Sequence, residues 1–162
     1  MAHDTAIKPL GRKAYGSIGH LPNSRLGPGD HQLPIGQAKI CTEKARDKHD
    51  LIIVETKLDG SCCAVAKLDD GSIVALGRAG YLAQTSKYEQ HQLFAAWVRE
   101  HQARFSYILK PGERLIGEWL AQAHGTRYKL PHEPFVIFDL MVEDERALKS
   151  EVWKHVAGKF PI

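Results

Sequence analysis

Hydrophobic and polar positions along this chain fall into an irregular first part and a rhythmic second part. Over roughly the first fifty residues Gly16, Gly19, Pro22, Gly27-Pro28-Gly29 and Pro34-Ile35-Gly36 break up any regular period, so this stretch reads as loop. From Leu51 the rhythm becomes that of strands. The apolar run Leu51-Ile52-Ile53-Val54 predicts a strand that ends at Glu55, and Asp59-Gly60 then turns the backbone into a second run, Cys62-Cys63-Ala64-Val65-Ala66. Asp69-Asp70-Gly71, flanked by strand-like runs over 64–68 and 72–76, is a strong hairpin signal. Ser86 and Glu89 have capping-box spacing ahead of a helix whose Leu93, Phe94, Trp97 and Val98 share a face and which ends near Arg104. Over 114–120 both alternating faces are apolar, Ile116 and Leu120 beside Glu118 on one and Leu115, Gly117 and Trp119 on the other, which marks a central strand. The nearly unbroken apolar run over 135–141 predicts a strand buried on both faces. A last helix contains Val152, Trp153 and Val156, with Lys149, Lys154 and Lys159 read as its solvated charges.

Composition changes this picture little. A chain of 162 residues, 43% of them hydrophobic, supports one core and not two. A formal charge of +3 and a pI near 8.7 permit nucleic-acid binding without announcing it. The cysteines, Cys41, Cys62 and Cys63, are odd in number, and the adjacent pair on a strand points to opposite faces; all three read as buried thiols. Neither Cys-x-x-Cys nor His-x-x-x-His spacing occurs, so no metal ligands are assigned. With no signal-peptide pattern and no run of membrane-spanning length, the expectation is a cytoplasmic protein without a membrane partner.

The chemistry concentrates at Lys57-Leu58-Asp59-Gly60, which sets an amine at a bend beside a glycine that permits close approach. A free lysine titrates near ~10.4, so a nucleophilic role requires burial, a neighbouring cation or a metal ion to favour the neutral amine. The competing reading is a surface lysine in a turn. Counting back along the hairpin brings Arg78 to its open end, beside the Lys57 loop, where a guanidinium can hold a phosphate; alternatively it is an edge-strand charge. Glu118, a carboxylate among apolar neighbours, needs a partner, which a ribose hydroxyl, a cation or Arg114 can supply. Phe138 is core or a stacking surface for a planar ligand.

Four segments in register resemble the motifs of the covalent nucleotidyltransferases, the superfamily of ATP-dependent DNA ligases, RNA ligases and capping enzymes. They are Glu55-Thr56-Lys57-Leu58-Asp59-Gly60, Leu76-Gly77-Arg78-Ala79-Gly80, Leu115-Ile116-Gly117-Glu118-Trp119-Leu120 and Phe135-Val136-Ile137-Phe138-Asp139-Leu140. Residues 15–24 also resemble the leader that precedes this domain in some bacterial and phage RNA ligases, which favours the RNA ligase branch. The resemblance implies an α+β fold with an antiparallel-sheet, ATP-grasp-like adenylation domain over 51–162, on which a loop-rich leader over 1–50 packs. It also implies a reaction. Lys57 would attack ATP to give lysyl-AMP, with Mg²⁺ present, and AMP would pass to a 5′-phosphate of RNA before a 3′-hydroxyl seals the strand, as in RNA repair. In that scheme Glu55 reads the adenine edge, Arg78 holds the sugar-phosphate, Glu118 binds ribose and Phe138 stacks on the base.

Two departures qualify the resemblance. Relatives often carry arginine or asparagine shortly after Lys-x-Asp-Gly, where this chain has Ser61-Cys62-Cys63. A later metal-binding Glu-Gly strand and a lysine-bearing strand find no counterpart before Ile162. The expectation is thus the front two thirds of an adenylyltransferase domain, slow or inactive in isolation. Alternatives are a non-catalytic nucleotide- or RNA-binding relic and a DNA ligase adenylation domain; ATP against GTP, RNA against DNA ends, and oligomeric state stay open.

Overall fold

A computed structural model describes residues 7–122 and 126–161. The chain divides into two compact units, one made of Met1–Tyr15 with Leu58–Ile162 and the other of Gly16–Lys57.

The first unit is built on a five-stranded antiparallel sheet of order β2-β1-β3-β4-β5. The strands are β1 (Ser61–Lys67), β2 (Ile73–Gly77), β3 (Glu113–Trp119), β4 (Phe135–Val142) and β5 (Glu145–Arg146). As the hairpin signal requires, β1 and β2 pair from Cys63 opposite Gly77 to Lys67 opposite Ile73. Gly71 supplies the positive φ of the turn, and Asp70 accepts hydrogen bonds from the Ser72 amide and hydroxyl at 2.9 and 2.6 Å. β3 is central, between β1 and β4, in agreement with its two apolar faces.

Helices cover one face of this sheet. Cys63, Val65, Leu115, Trp119, Phe135 and Ile137 meet Phe94 and Val98 of α2 (Glu89–Glu100), Phe105 of α3 (Gln102–Ile108), and Val152 and Val156 of α4 (Lys149–Val156). The architecture is α+β, as expected. The opposite face carries a smaller cluster in which Ala64, Ala66, Leu76, Ile116 and Met141 pack against Ala14 and Tyr15 from the N-terminal segment. Ala14 and Tyr15 both donate their amides to the Arg78 carbonyl, and the Arg114 guanidinium donates to the Ala14 carbonyl at 2.7 Å.

Several sequence expectations fail locally. Leu51-Ile52-Ile53-Val54 forms no strand; residues 51–59 lie outside any ladder and all four apolar side chains are exposed. An extended run becomes a strand only where a partner accepts its backbone hydrogen bonds, and none does here among the described residues. The capping box at Ser86 does not form because the helix begins at Glu89 itself, which places that glutamate in the first position rather than the third. Ser86 instead accepts the Tyr88 amide at 3.2 Å. Leu93 is exposed, and the helical course continues past Arg104 to Ile108 after an interruption at His101, whose Nδ1 lies 2.8 Å from the Trp97 carbonyl.

Within the second unit, the punctuated loop contains a helix that sequence reading passed over, α1 (Ile35–Thr42). Pro34 stands at its N-cap, where a proline-rich start is compatible with helix and is not only a breaker. Of the three cysteines only Cys63 is fully buried; Cys62 is half-buried and Cys41 is exposed on α1.

Candidate nucleotide site

Strand alternation decides which side chains share the face opposite α2, α3 and α4. On β1 Cys62 points there, and directly across the ladder from it stands Glu118 of β3. On β4 a bulge adds a residue: Ile116 pairs with Asp139 but Gly117 pairs with Ile137, so Phe138 has no partner of its own. Such an extra residue reverses the alternation beyond it and re-aims side chains. Phe138 and its neighbour Asp139 consequently both reach Tyr15, the first ring edge-on at 5.6 Å and the second through a short hydrogen bond accepted from the Tyr15 hydroxyl.

Arg78 follows the last residue of β2 at the open end of the hairpin, and its side chain is exposed. The electrostatics of Cys62 register the company it keeps. Burial pushes its thiol up to about 12, Glu118 and Asp139 push the same way, and Arg78 opposes them. Cys62 is therefore a neutral spacer among charged groups. The structure thus places Glu118 and Phe138 on one face of the sheet, with Arg78 at the open end of the hairpin in the same unit. Glu55 and Lys57 are exposed residues of the other unit, immediately upstream of Leu58.

Glu118 has a partner inside the protein. Its Oε1 accepts the Gly60 amide at 2.9 Å, while Arg114, the alternative weighed from sequence, is engaged by the carbonyls of Ala14 and Glu143. A carboxylate has about four lone-pair positions and so accepts more than one hydrogen bond. Gly60 itself serves a purpose different from a turn: a Cβ there would collide with the Trp119 carbonyl and stand 2.8 Å from Leu120 Cδ2. The close approach it permits is that of the end of β3.

Asp139 is the residue sequence reading missed. It is 3% exposed and gathers three segments, accepting from Tyr15 and lying 3.2 Å from Arg146 Nε and 3.6 Å from Lys149 Nζ. A buried carboxylate requires such compensation, and an aspartate inside an otherwise apolar strand was the available signal. Burial and Asp139 together raise the Tyr15 phenol far above its ordinary range. Lys149, read as a solvated helix charge, is instead half-buried and donates to the Phe138 carbonyl. The reason is its place at the first turn of α4, next to the bulge.

Among the described residues no group of three His, Cys, Asp or Glu side chains is arranged to hold a metal ion. No helix of the described residues is long and apolar enough to cross a membrane.

The family model described as RNA ligase matches residues 50–162, which contain all four sequence motifs. Similar solved structures include a Naegleria gruberi RNA ligase with PPi, 23% identical over 62% of this chain and 29% of that one, with a TM-score of 0.47. An archaeal ATP-dependent RNA ligase is 21% identical over 66% of this chain and 28% of that one, with a TM-score of 0.43. The chain thus spans less than a third of the length of these structures. No curated protein matches it.

Proposed function

Because the chain belongs to the RNA ligase family, we propose that it carries the nucleotide-binding and lysine-bearing part of an ATP-dependent RNA ligase. The observation that carries this reading is that Glu118 and the bulged Phe138 share the face of the sheet opposite α2, α3 and α4, with Arg78 at the open end of the neighbouring hairpin. Phe138 offers a partly exposed ring to stack on adenine, Glu118 accepts a ribose hydroxyl, and Arg78 neutralises phosphate. Glu55 reads the adenine edge. The Lys57 amine attacks the α-phosphorus of ATP; a P–N bond forms, the bond to pyrophosphate breaks, and the amine protons lost on the way pass to solvent. AMP then passes from lysine to the 5′-phosphate of an RNA end, and a 3′-hydroxyl displaces AMP to form the phosphodiester.

Barriers to phosphoryl transfer fall mainly through positioning and charge neutralisation. Magnesium suits this chemistry as an ion carried by the substrate phosphates with one or two carboxylates, which requires no all-protein cage. Its contribution would be to offset charge on the phosphates.

Incubation of the chain with labelled ATP and Mg²⁺, followed by denaturing electrophoresis, tests the reading. The expected result is slow covalent labelling, in keeping with the short match to full-length ligases, that disappears in Lys57→Ala. Label mapped to another lysine would refute the assignment, and ATP binding without label would show a nucleotide-binding module. Replacing 5′-phosphorylated RNA by DNA in the sealing assay separates the two substrates.

A further inference from the structure

Among the described residues, the Lys-x-Asp-Gly segment is fastened at Asp59 and Gly60. Residues 51–57 are exposed and outside any ladder, and burial begins only at Leu58. Two consecutive amides are then captured by side chains from distant parts of the chain. The Asp59 N–H donates to the Tyr128 hydroxyl at 2.8 Å, and the Gly60 N–H donates to Glu118 Oε1 at 2.9 Å. On the third side, Gly60 lies against the Trp119 carbonyl so closely that no side chain fits.

We infer that Tyr128 is a positioning residue for Lys57: with Glu118 it pins the Asp59–Gly60 peptide and so anchors the chain from which the lysine extends. The inference rests on the reading of Lys57 as nucleophile. Two residues of extended chain span at most ~7 Å, so fixing Asp59 confines the Lys57 backbone to a small volume. Glu118 can serve this purpose and a ribose together, because a carboxylate accepts several hydrogen bonds; Tyr128 holds the loop whether or not nucleotide is present. Without it the Asp59 amide must turn to solvent, and the backbone from Leu58 upstream gains freedom that an in-line attack does not tolerate. A hydroxyl that acts only through the backbone leaves ground-state nucleotide contacts intact, so its loss belongs in the rate of covalent transfer and not in affinity.

The test compares the full chain with Tyr128→Phe, which removes one oxygen and keeps the ring. Amide exchange followed by NMR is expected to be at least about tenfold faster at Asp59, with Val65 of β1 unchanged as the internal reference for folding. Self-adenylation with labelled ATP is expected to slow by about 10- to 100-fold, the usual penalty for a displaced reacting group, while the KM for ATP stays within about twofold. Unchanged exchange at Asp59, or an unchanged labelling rate, overturns the role of Tyr128. A wild-type chain that takes no label at all refutes the covalent reading and this inference with it; a labelled wild type beside an equally fast Tyr128→Phe refutes this inference alone. If Val65 exchange also rises, Tyr128 is a general stability residue and the positioning role is rejected.

Discussion

Leu51-Ile52-Ile53-Val54 is more apolar than Cys63-Ala64-Val65-Ala66, yet the first run is exposed and the second is fully buried in the sheet. The difference lies in what surrounds each run. β1 is flanked on both sides, by β2 and β3, so every backbone amide and carbonyl in its middle finds a partner and its alternate side chains enter two packed clusters. The earlier run has no ladder among the described residues. Hydrophobicity therefore marks a segment that can be buried, and neighbours determine whether it is. That distinction also separates two kinds of candidate residue: Glu118 and Phe138 are oriented by the sheet, whereas Lys57 belongs to an exposed segment two residues before the fastened Asp59 amide.

Substitutions in the two regions should differ in their cost. Leu115 is fully buried in β3 beneath the helices, so Leu115→Ala should cost about 2–5 kcal/mol in chemical denaturation. A smaller loss would mean that the sheet, too, is less committed than its packing indicates. Glu118→Ala should weaken ATP binding by about 1.5–3 kcal/mol in calorimetric titration, because a charged acceptor is lost. Affinity left intact beside a lowered unfolding midpoint would make Glu118 solely the fastener of Gly60. The smallest effect belongs to the exposed run, where Val54→Ser should change stability by less than about 0.5 kcal/mol. A loss comparable to that of Leu115→Ala would show that 51–54 is buried in solution, and the contrast with β1 would collapse.

Local pattern was enough for the β1–β2 hairpin, the central position of β3, the apolar course of β4 and the existence, though not the bounds, of a helix after Ser86 and another around Val152 and Val156, because these depend on alternation, turn chemistry and amphipathic spacing within short windows. Residue type, order and family resemblance nominate Lys57, Arg78, Glu118 and Phe138, whose roles are proposals. Pairing decided the rest. No local signal shows that Phe138 is the extra residue of a bulge, since a bulge exists only relative to the partner strand. The same holds for Asp139, whose partners Tyr15, Arg146 and Lys149 come from three separate segments. It holds again for Gly60, conformationally readable as a turn residue but needed for the close passage of Trp119. Short-range stereochemistry is written along the chain, whereas contacts between residues far apart in sequence arise only when burial brings the elements together, and it is those contacts that aim Glu118, Phe138 and Tyr128.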